Sequence, residues 1–495
     1  MKSLLESAHT HLARTAVVSE GQPYTYQQLL ARSANIAGML LDGRADLAEA
    51  RVAFLVPPGF DYVSILWGIW RAGGIAVPLC VSHPLPAIQY VVDDTQAEMI
   101  IYASEFAELL APLRASTAAR FLPSANFVVT SNTLPVIDLV HRRALILYTS
   151  GTTGQPKGVV TTHQQLEAQI TSLTTSWAWH QDDHILNVLP LHHVHGLVNV
   201  LLCALWSGAC CTFLPRFDPA AVFAIFRQGE VNVFMAVPTI YFKLIAYWNE
   251  QPPAAQAAIS QALKDFRLMV SGSAALPVSV LEKWRQVSGH TLLERYGMTE
   301  MGMAISNPYH GPRRPGCIGL PLNQVQVRLV DEDGQLVAAG MPGEIQVLGP
   351  NVFREYWQKP AATAAAFTAD GWFKTGDIAV FEGGSYRILG RNSVDIIKSG
   401  GYKISALEIE EVLRTHPQIK ECAVVGIPDE EWGEIIGASL VLAGETLDLE
   451  QLKSWLQTQL PPYKVPRKYL VQEDLPRNAM GKVTKQELKQ LLAAD

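Results

Sequence analysis

The sequence predicts a multidomain α/β protein, and three observations predict it. A chain of 495 residues, divided at roughly 150 residues per domain, makes about three structural units. From about residue 25 to 245, apolar strand-like runs alternate with helical patterns, as in βαβ units whose parallel sheets are buried on both faces. After about residue 315 the texture changes to short strands between tight turns, and beyond Arg391 to a mixed α+β pattern.

The elements follow in order. Arg51-Val52-Ala53-Phe54-Leu55-Val56 reads as a buried strand stopped by the Pro57-Pro58-Gly59 turn, with a helix through Trp70 and a second strand at Gly74–Pro78. Gly196 to Pro215 carries no charge for 20 residues, long enough for a spanning helix. Asn199, the Ser207-Gly208 break and a β-prone Cys210–Pro215 end predict instead a buried helix, a turn and a buried strand, so no stable membrane insertion is expected. Val325–Val330, Gly343–Leu348 and Tyr386–Leu389 have the look of a small antiparallel barrel, punctuated by Asp331-Glu332-Asp333-Gly334 and Glu382-Gly383-Gly384. A helix at Ala406–Thr415, strands at Cys422–Ile427 and Ala438–Val441, and a helix at Leu449–Leu460 predict a compact α+β lobe. The boundary falls near 390–395, dividing a lobe of residues 1–390 from one of residues 391–495.

Composition narrows the function classes. With 39 Lys+Arg against 46 Asp+Glu the net charge is −7, and no basic block stands out, which argues against a nucleic-acid partner. At 48% apolar and 17% charged residues the chain is able to bury large cores. The six cysteines form no CxxC pair and no zinc-spaced cluster, which predicts reduced thiols. Glu6, His9, His11 and Arg14 interrupt any signal-peptide apolar region, so a cytoplasmic monomer or homodimer is expected.

The most informative segment is Leu147-Tyr148-Thr149-Ser150-Gly151-Thr152-Thr153-Gly154-Gln155-Pro156-Lys157-Gly158-Val159. Glycines and hydroxyl residues ahead of a lysine make a donor-rich loop able to wrap polyphosphate oxygens, although the Walker A spacing is absent. This loop resembles the phosphate loop of the adenylate-forming superfamily. Further motifs agree in the family's order: Leu189–Gly196, Val270–Ala274, Arg295–Glu300, Gly371–Asp377, Gly390-Arg391, Gly400–Lys403 and Pro476–Lys482.

The resemblance implies the adenylate-forming enzyme fold, with a large N-terminal lobe of two α/β subdomains plus the small β-barrel and a small α+β C-terminal lobe. It implies ATP, Mg2+ and coenzyme A, with a small carboxylic acid as the other substrate. Thr149, Ser150, Gly151, Thr152, Thr153, Gly154 and Lys157 would take the triphosphate, and Glu300 with Thr152 would hold Mg2+. Tyr296 resembles the adenine-stacking aromatic, with Gly297, Met298 and Thr299 beside it and Gly272, Ser273 and Ala274 against the base edge. Asp377 and Arg391 would take the ribose. His193 aligns with the histidine at the carboxylate and pantetheine site, with His192 and His195 as weaker candidates.

Lys482 resembles the catalytic lysine that bridges carboxylate and α-phosphate. The small lobe would then rotate, withdrawing Lys482 and presenting Gly400, Gly401 and Tyr402 to CoA. At the hinge the spacing is about one residue wider than in several relatives: alignment places Ser393 there, whereas chemistry prefers Asp395. No side chain is expected to act as a covalent nucleophile.

Arg295, Lys243 and the phrases SVDIIKSGGYKISALE and ERYGMTEMGMAISNP resemble malonyl-CoA synthetases, in which two cations surround the distal carboxylate of malonate or methylmalonate. That resemblance implies Ser271, Met303 and His193 in the acyl pocket. Lysine lacks arginine's bidentate fork, so Lys243 would orient the acid more loosely. The competing readings are a CoA ligase for a medium-chain or aromatic monocarboxylate, and an adenylation enzyme serving a carrier protein in trans.

Overall fold

The computed structural model describes residues 2–127, 134–149, 155–214, 216–444, 446–477 and 483–494. Two large sheets form the body. One has nine strands in the order Leu320–Pro321, Gly302–Ser306, Leu293–Met298, Leu268–Ser271, Val233–Ala236, His184–Asn187, Cys210–Phe213, Thr15–Ser19 and Gln22–Thr25. Its central pairs are parallel, and strands such as Val233–Ala236 and Leu268–Ser271 are buried at every position, as a sheet covered on both faces requires.

The other has seven strands, ordered Glu355–Tyr356, Lys157–Thr162, Arg143–Thr149, Ile75–Pro78, Arg51–Leu55, Met99–Tyr102 and Arg120–Pro123. The helices Tyr26–Leu41 and His163–Ser176 start at capping boxes, Thr25 with Gln28 and Thr162 with Gln165, which satisfy orphan backbone donors. They pack into a core shared by both sheets that contains Trp67, Trp70 and Trp177.

The uncharged stretch after Leu189 resolves into a π-helix His195–Leu202, a short α-helix Cys203–Trp206, a turn at Ser207-Gly208 and the strand Cys210–Phe213. Helix, turn and strand follow the expectation; the π winding does not, and such winding is frequent at functional sites. No helix among the described residues is long and apolar enough to cross a membrane.

The expected small barrel is instead an open four-stranded antiparallel sheet, ordered Gln326–Val330, Gly343–Leu348, Phe373–Glu382 and Ser385–Arg391. Its first and last strands lie at opposite edges and do not pair with each other. Phe373–Glu382 is the strand that the short-run pattern omits, since Gly371–Asp377 reads as a motif loop.

Beyond Arg391 the chain changes sheets. Residues 392–395 turn, and Ile396–Ser399 enters a separate sheet with Tyr402–Ser405, Gly433–Leu442, Ile419–Asp429 and Lys468–Val471. The helices Ala406–Arg414 and Leu449–Gln459 close this small lobe around Ile397, Leu413, Leu440 and Leu456.

Candidate functional site

The strands Arg143–Thr149 and Lys157–Thr162 form a hairpin whose last register pair is Thr149 with Lys157, so both ends of the phosphate loop leave one sheet edge. Ser150, Gly151, Thr152, Thr153 and Gly154 lie outside the described residues, as does Lys482. Lys157 Nζ sits 4.9 Å from the centre of the Tyr356 ring, and Tyr356 Oη donates to Glu300 Oε1 at 2.9 Å. Glu300 is buried, and burial raises its carboxyl pKa against the pull of Tyr356, Arg391 and Lys157. Tyr356 thus joins the two groups assigned to phosphate and metal. Nothing in the sequence announces it, because it lies 56 residues from Glu300.

A buried carboxylate with few protein neighbours suits Mg2+, which takes few protein carboxylates and several phosphate oxygens. Consistent with that, no group of three or more His, Cys, Asp or Glu able to hold a metal occurs among the described residues. Glu300 closes the turn Met298–Met301, in which the Met301 N–H donates to the Met298 carbonyl and Thr299 is half-buried. Gly297 has no room for a side chain: a Cβ there would strike the Gly302 carbonyl and Met303.

The residues assigned to the nucleoside come together. Tyr296 Oη donates to Asp377 Oδ2 at 2.5 Å, and Arg391 Nε donates to Asp377 Oδ1 at 3.0 Å. Asp377 is buried, and desolvation raises its pKa although Arg391 and Tyr296 oppose this. Gly376, at φ +72°, lets the strand Phe373–Glu382 turn this carboxylate inward.

The acyl end is built around Arg295. Its side chain lies against Gly272, where a Cβ would fall 2.5 Å from Arg295 Cζ. Gly272 therefore makes room for a guanidinium, a second use for a glycine assigned to the base edge. Arg295 is 4% exposed, and its Nε and Nη2 find no hydrogen-bond partner among the described residues. Desolvation pushes its pKa down to about 9.

Ser271 Oγ is likewise buried, with no hydrogen-bond partner among the described residues. Ser273 adopts φ +69°, a strained value for a residue with a Cβ, and its Oγ lies 3.2 Å from His195 Nδ1. His195 is held neutral by burial and by Arg295. His195 thus lies beside Ser273 and within the electrostatic reach of Arg295. His193 stacks on His192 at 4.1 Å, and burial pushes His192 down to about 2. Ala274 is exposed and Met303 buried.

Lys243 faces solvent. It lies on the exposed side of the helix Pro238–Asn249, which buries Pro238, Tyr241, Leu244 and Ile245 instead.

On the small lobe, Gly400, Gly401 and Tyr402 are all exposed. At the hinge, Ser393 faces solvent, whereas Asp395 Oδ2 accepts from the Arg391 N–H at 3.0 Å and Asp395 Oδ1 meets Lys485 Nζ at 2.6 Å. A Cβ on Gly390, at φ +130°, would run into Asp395.

The family described as "AMP-binding enzyme" matches residues 4–357, and the one described as "AMP-binding enzyme C-terminal domain" matches residues 408–482. The mitochondrial malonate–CoA ligase of Homo sapiens is 46% identical, covering 96% of this chain and 89% of its own. The crystal structure of ATP-bound MatB from Rhodopseudomonas palustris superposes with a TM-score of 0.90 at 32% identity, covering 99% of each chain. The apo structure of the same MatB, with the same identity and coverage, superposes at 0.81.

Proposed function

Because the chain belongs to the AMP-binding enzyme family, we propose that it is an AMP-forming acid–CoA ligase whose acid is a short dicarboxylate, malonate or methylmalonate. The observation that carries the choice of acid is Arg295, a buried cation whose Nε and Nη2 have no hydrogen-bond partner among the described residues. Burying a charge without a partner is costly, and an anion entering beside it removes that cost. A carboxylate at the far end of the acid is such an anion; the methyl end of a monocarboxylate is not. The names of the relatives point to the same acid.

In the first half-reaction a carboxylate oxygen of the acid attacks the α-phosphorus of ATP, and the bond to pyrophosphate breaks. Lys157 faces the triphosphate; Asp377, with Tyr296 and Arg391, fixes the ribose; Arg295 holds the distal carboxylate so that the near one points at phosphorus. Bound Mg2+ supplies positive charge to the triphosphate, and Glu300, oriented by Tyr356, is the carboxylate that holds it. In the second half-reaction the CoA thiol, losing its proton, attacks the adenylate carbonyl and AMP leaves. Lys482 serves the first step and the Gly400–Tyr402 loop the second. A cytoplasmic setting fits the six cysteines, all unbridged.

The test is pyrophosphate release with malonate, methylmalonate, acetate, octanoate and an aromatic acid, followed by mass spectrometry of the thiol product. Malonate and methylmalonate should lead by at least about 10², the selectivity expected of a buried charge pair. Octanoate or an aromatic acid in the lead would overturn the dicarboxylate reading. Loading of a carrier protein and not CoA would overturn the choice of acceptor.

A further inference from the structure

The two lobes meet through a hydrogen bond that neither could make alone. Val278 opens the large-lobe helix Val278–Ser288, and the residue before it is Pro277, which supplies no side-chain cap. The Val278 N–H, an orphan donor at a helix N-terminus, donates to Oε2 of Glu411 on the small-lobe helix Ala406–Arg414 at 3.1 Å. Glu411 is held in place by Arg414, whose Nη1 meets Glu411 Oε1 at 2.8 Å.

Behind this contact runs a line of charge-assisted bonds. Arg414 Nη2 reaches Glu410 Oε2 at 3.0 Å, Glu410 Oε1 meets Lys485 Nζ at 2.7 Å, and Lys485 Nζ meets Asp395 Oδ1 at 2.6 Å. Asp395 in turn accepts from the backbone N–H of Arg391. Lys485, Glu410 and Arg414 are all buried or mostly so. The contact between lobes is therefore mechanically continuous with the turn at which the chain leaves the large lobe.

The arrangement that this contact secures is identifiable. Gly400, Gly401 and Tyr402, the loop assigned to CoA, face solvent, with Tyr402 56% exposed. The chain also superposes better on the ATP-bound relative than on the apo one. Both features accord with a small lobe placed for the first half-reaction.

We infer that Glu411 is a positioning residue that docks the small lobe in the adenylate-forming arrangement by capping the helix Val278–Ser288. It touches no substrate; it acts by favouring one of two lobe placements. This rests on the AMP-forming ligase reading.

The experiment separates the half-reactions. Pyrophosphate release from ATP and malonate reports the first, and conversion of chemically prepared malonyl-adenylate with CoA to malonyl-CoA reports the second. Glu411→Ala removes the acceptor. Val278→Pro removes the donor from the other lobe, at the first helical position, where proline is tolerated and where extended Pro277 already suits a following proline.

Each variant should slow pyrophosphate release by about tenfold, the size expected for a lost charge-assisted hydrogen bond, and leave thioester formation within about twofold of wild type. The double variant should be no slower than either single one. Equal loss of both half-reactions, unchanged pyrophosphate release, or additive losses would overturn the role of Glu411. If the wild-type protein itself makes no acyl-adenylate, the ligase reading fails, which is a different outcome from any of these.

Discussion

Replacing Arg295 by methionine should stabilise the ligand-free protein and cripple it as a malonate ligase. Burial pushes the guanidinium down to about 9. Against an ordinary arginine value of roughly 12.5, and at about 1.4 kcal/mol per tenfold, the charged form carries a burial penalty on the order of 5 kcal/mol. Methionine fills much of the same volume without charge, and such replacements of buried charges often raise stability by about 1–4 kcal/mol. The melting temperature of Arg295→Met should therefore rise by a few degrees.

The same change removes the partner of the distal carboxylate. Leaving one member of a buried pair alone costs about 3–5 kcal/mol, so kcat/KM for malonate should fall by about 10² to 10³. The values for acetate and butyrate should hold or rise, because the pocket no longer carries an uncompensated charge. Thermal unfolding without ligand and pyrophosphate release with each acid read both halves. A lower melting temperature together with less than about threefold loss on malonate would refute the reasoning, since Arg295 would then be a structural cation satisfied by its surroundings.

Glu294, beside Arg295, is pushed up to about 8, first by burial and then by the nearby Glu411, against a hydrogen bond from the Gly316 N–H. The folded state therefore holds this proton more tightly than the unfolded chain does. Its stabilising contribution is complete below about pH 4.3 and is lost as pH rises through about 8. Glu294→Gln should flatten the fall in melting temperature between about pH 4.5 and 8; parallel curves for variant and wild type over that range would rule this out.

Tyr356→Phe keeps the ring beneath Lys157 and deletes the hydroxyl on Glu300, so KM for Mg·ATP should rise about tenfold with stability within about 1 kcal/mol. An unchanged KM for Mg·ATP would show that Glu300 needs no such support. Lys485→Met leaves Asp395 and Glu410 without their shared cation, and the melting temperature of the small lobe should drop, reflecting about 3–5 kcal/mol. Calorimetry that shows no shift would contradict the buried network.

Much of the fold was legible because its signals are local. Arg51–Leu55 and Ile75–Pro78 are apolar runs with turn residues at their ends, and Ala406–Arg414 shows an apolar stripe at helical spacing. The candidate nucleoside residues were legible by resemblance, Tyr296 for the adenine and Asp377 with Arg391 for the ribose, and the structure brings the three side chains together. What escaped is non-local. The Tyr356–Glu300 bond, the fit of Arg295 into the space left by Gly272, and the Glu411–Val278 contact between lobes each join segments that no periodicity relates.

The barrel expectation failed for a related reason. Strand number and spacing can be read from turns, but closure depends on whether the edge strands Gln326–Val330 and Ser385–Arg391 meet, and they do not. Lys243 was assigned by position along the chain, whereas helix phase decides which side of Pro238–Asn249 it occupies. At the histidines, the contact of His195 with Ser273 joins segments 78 residues apart, which spacing alone cannot show.

The bond between Asp377 and Arg391 bears on how a moving lobe can leave a bound nucleotide undisturbed. Arg391 is the last residue of the four-stranded sheet, and the turn at 392–395 begins with its own peptide group. Its guanidinium is fastened to Asp377 while its backbone faces the swivel. If the small lobe turns about 392–395, as proposed, it would rotate past a bearing whose inner race stays fixed to Asp377. Torsion at the backbone is not transmitted through the side chain, so a large swing of the lobe and a still nucleotide are compatible within one residue.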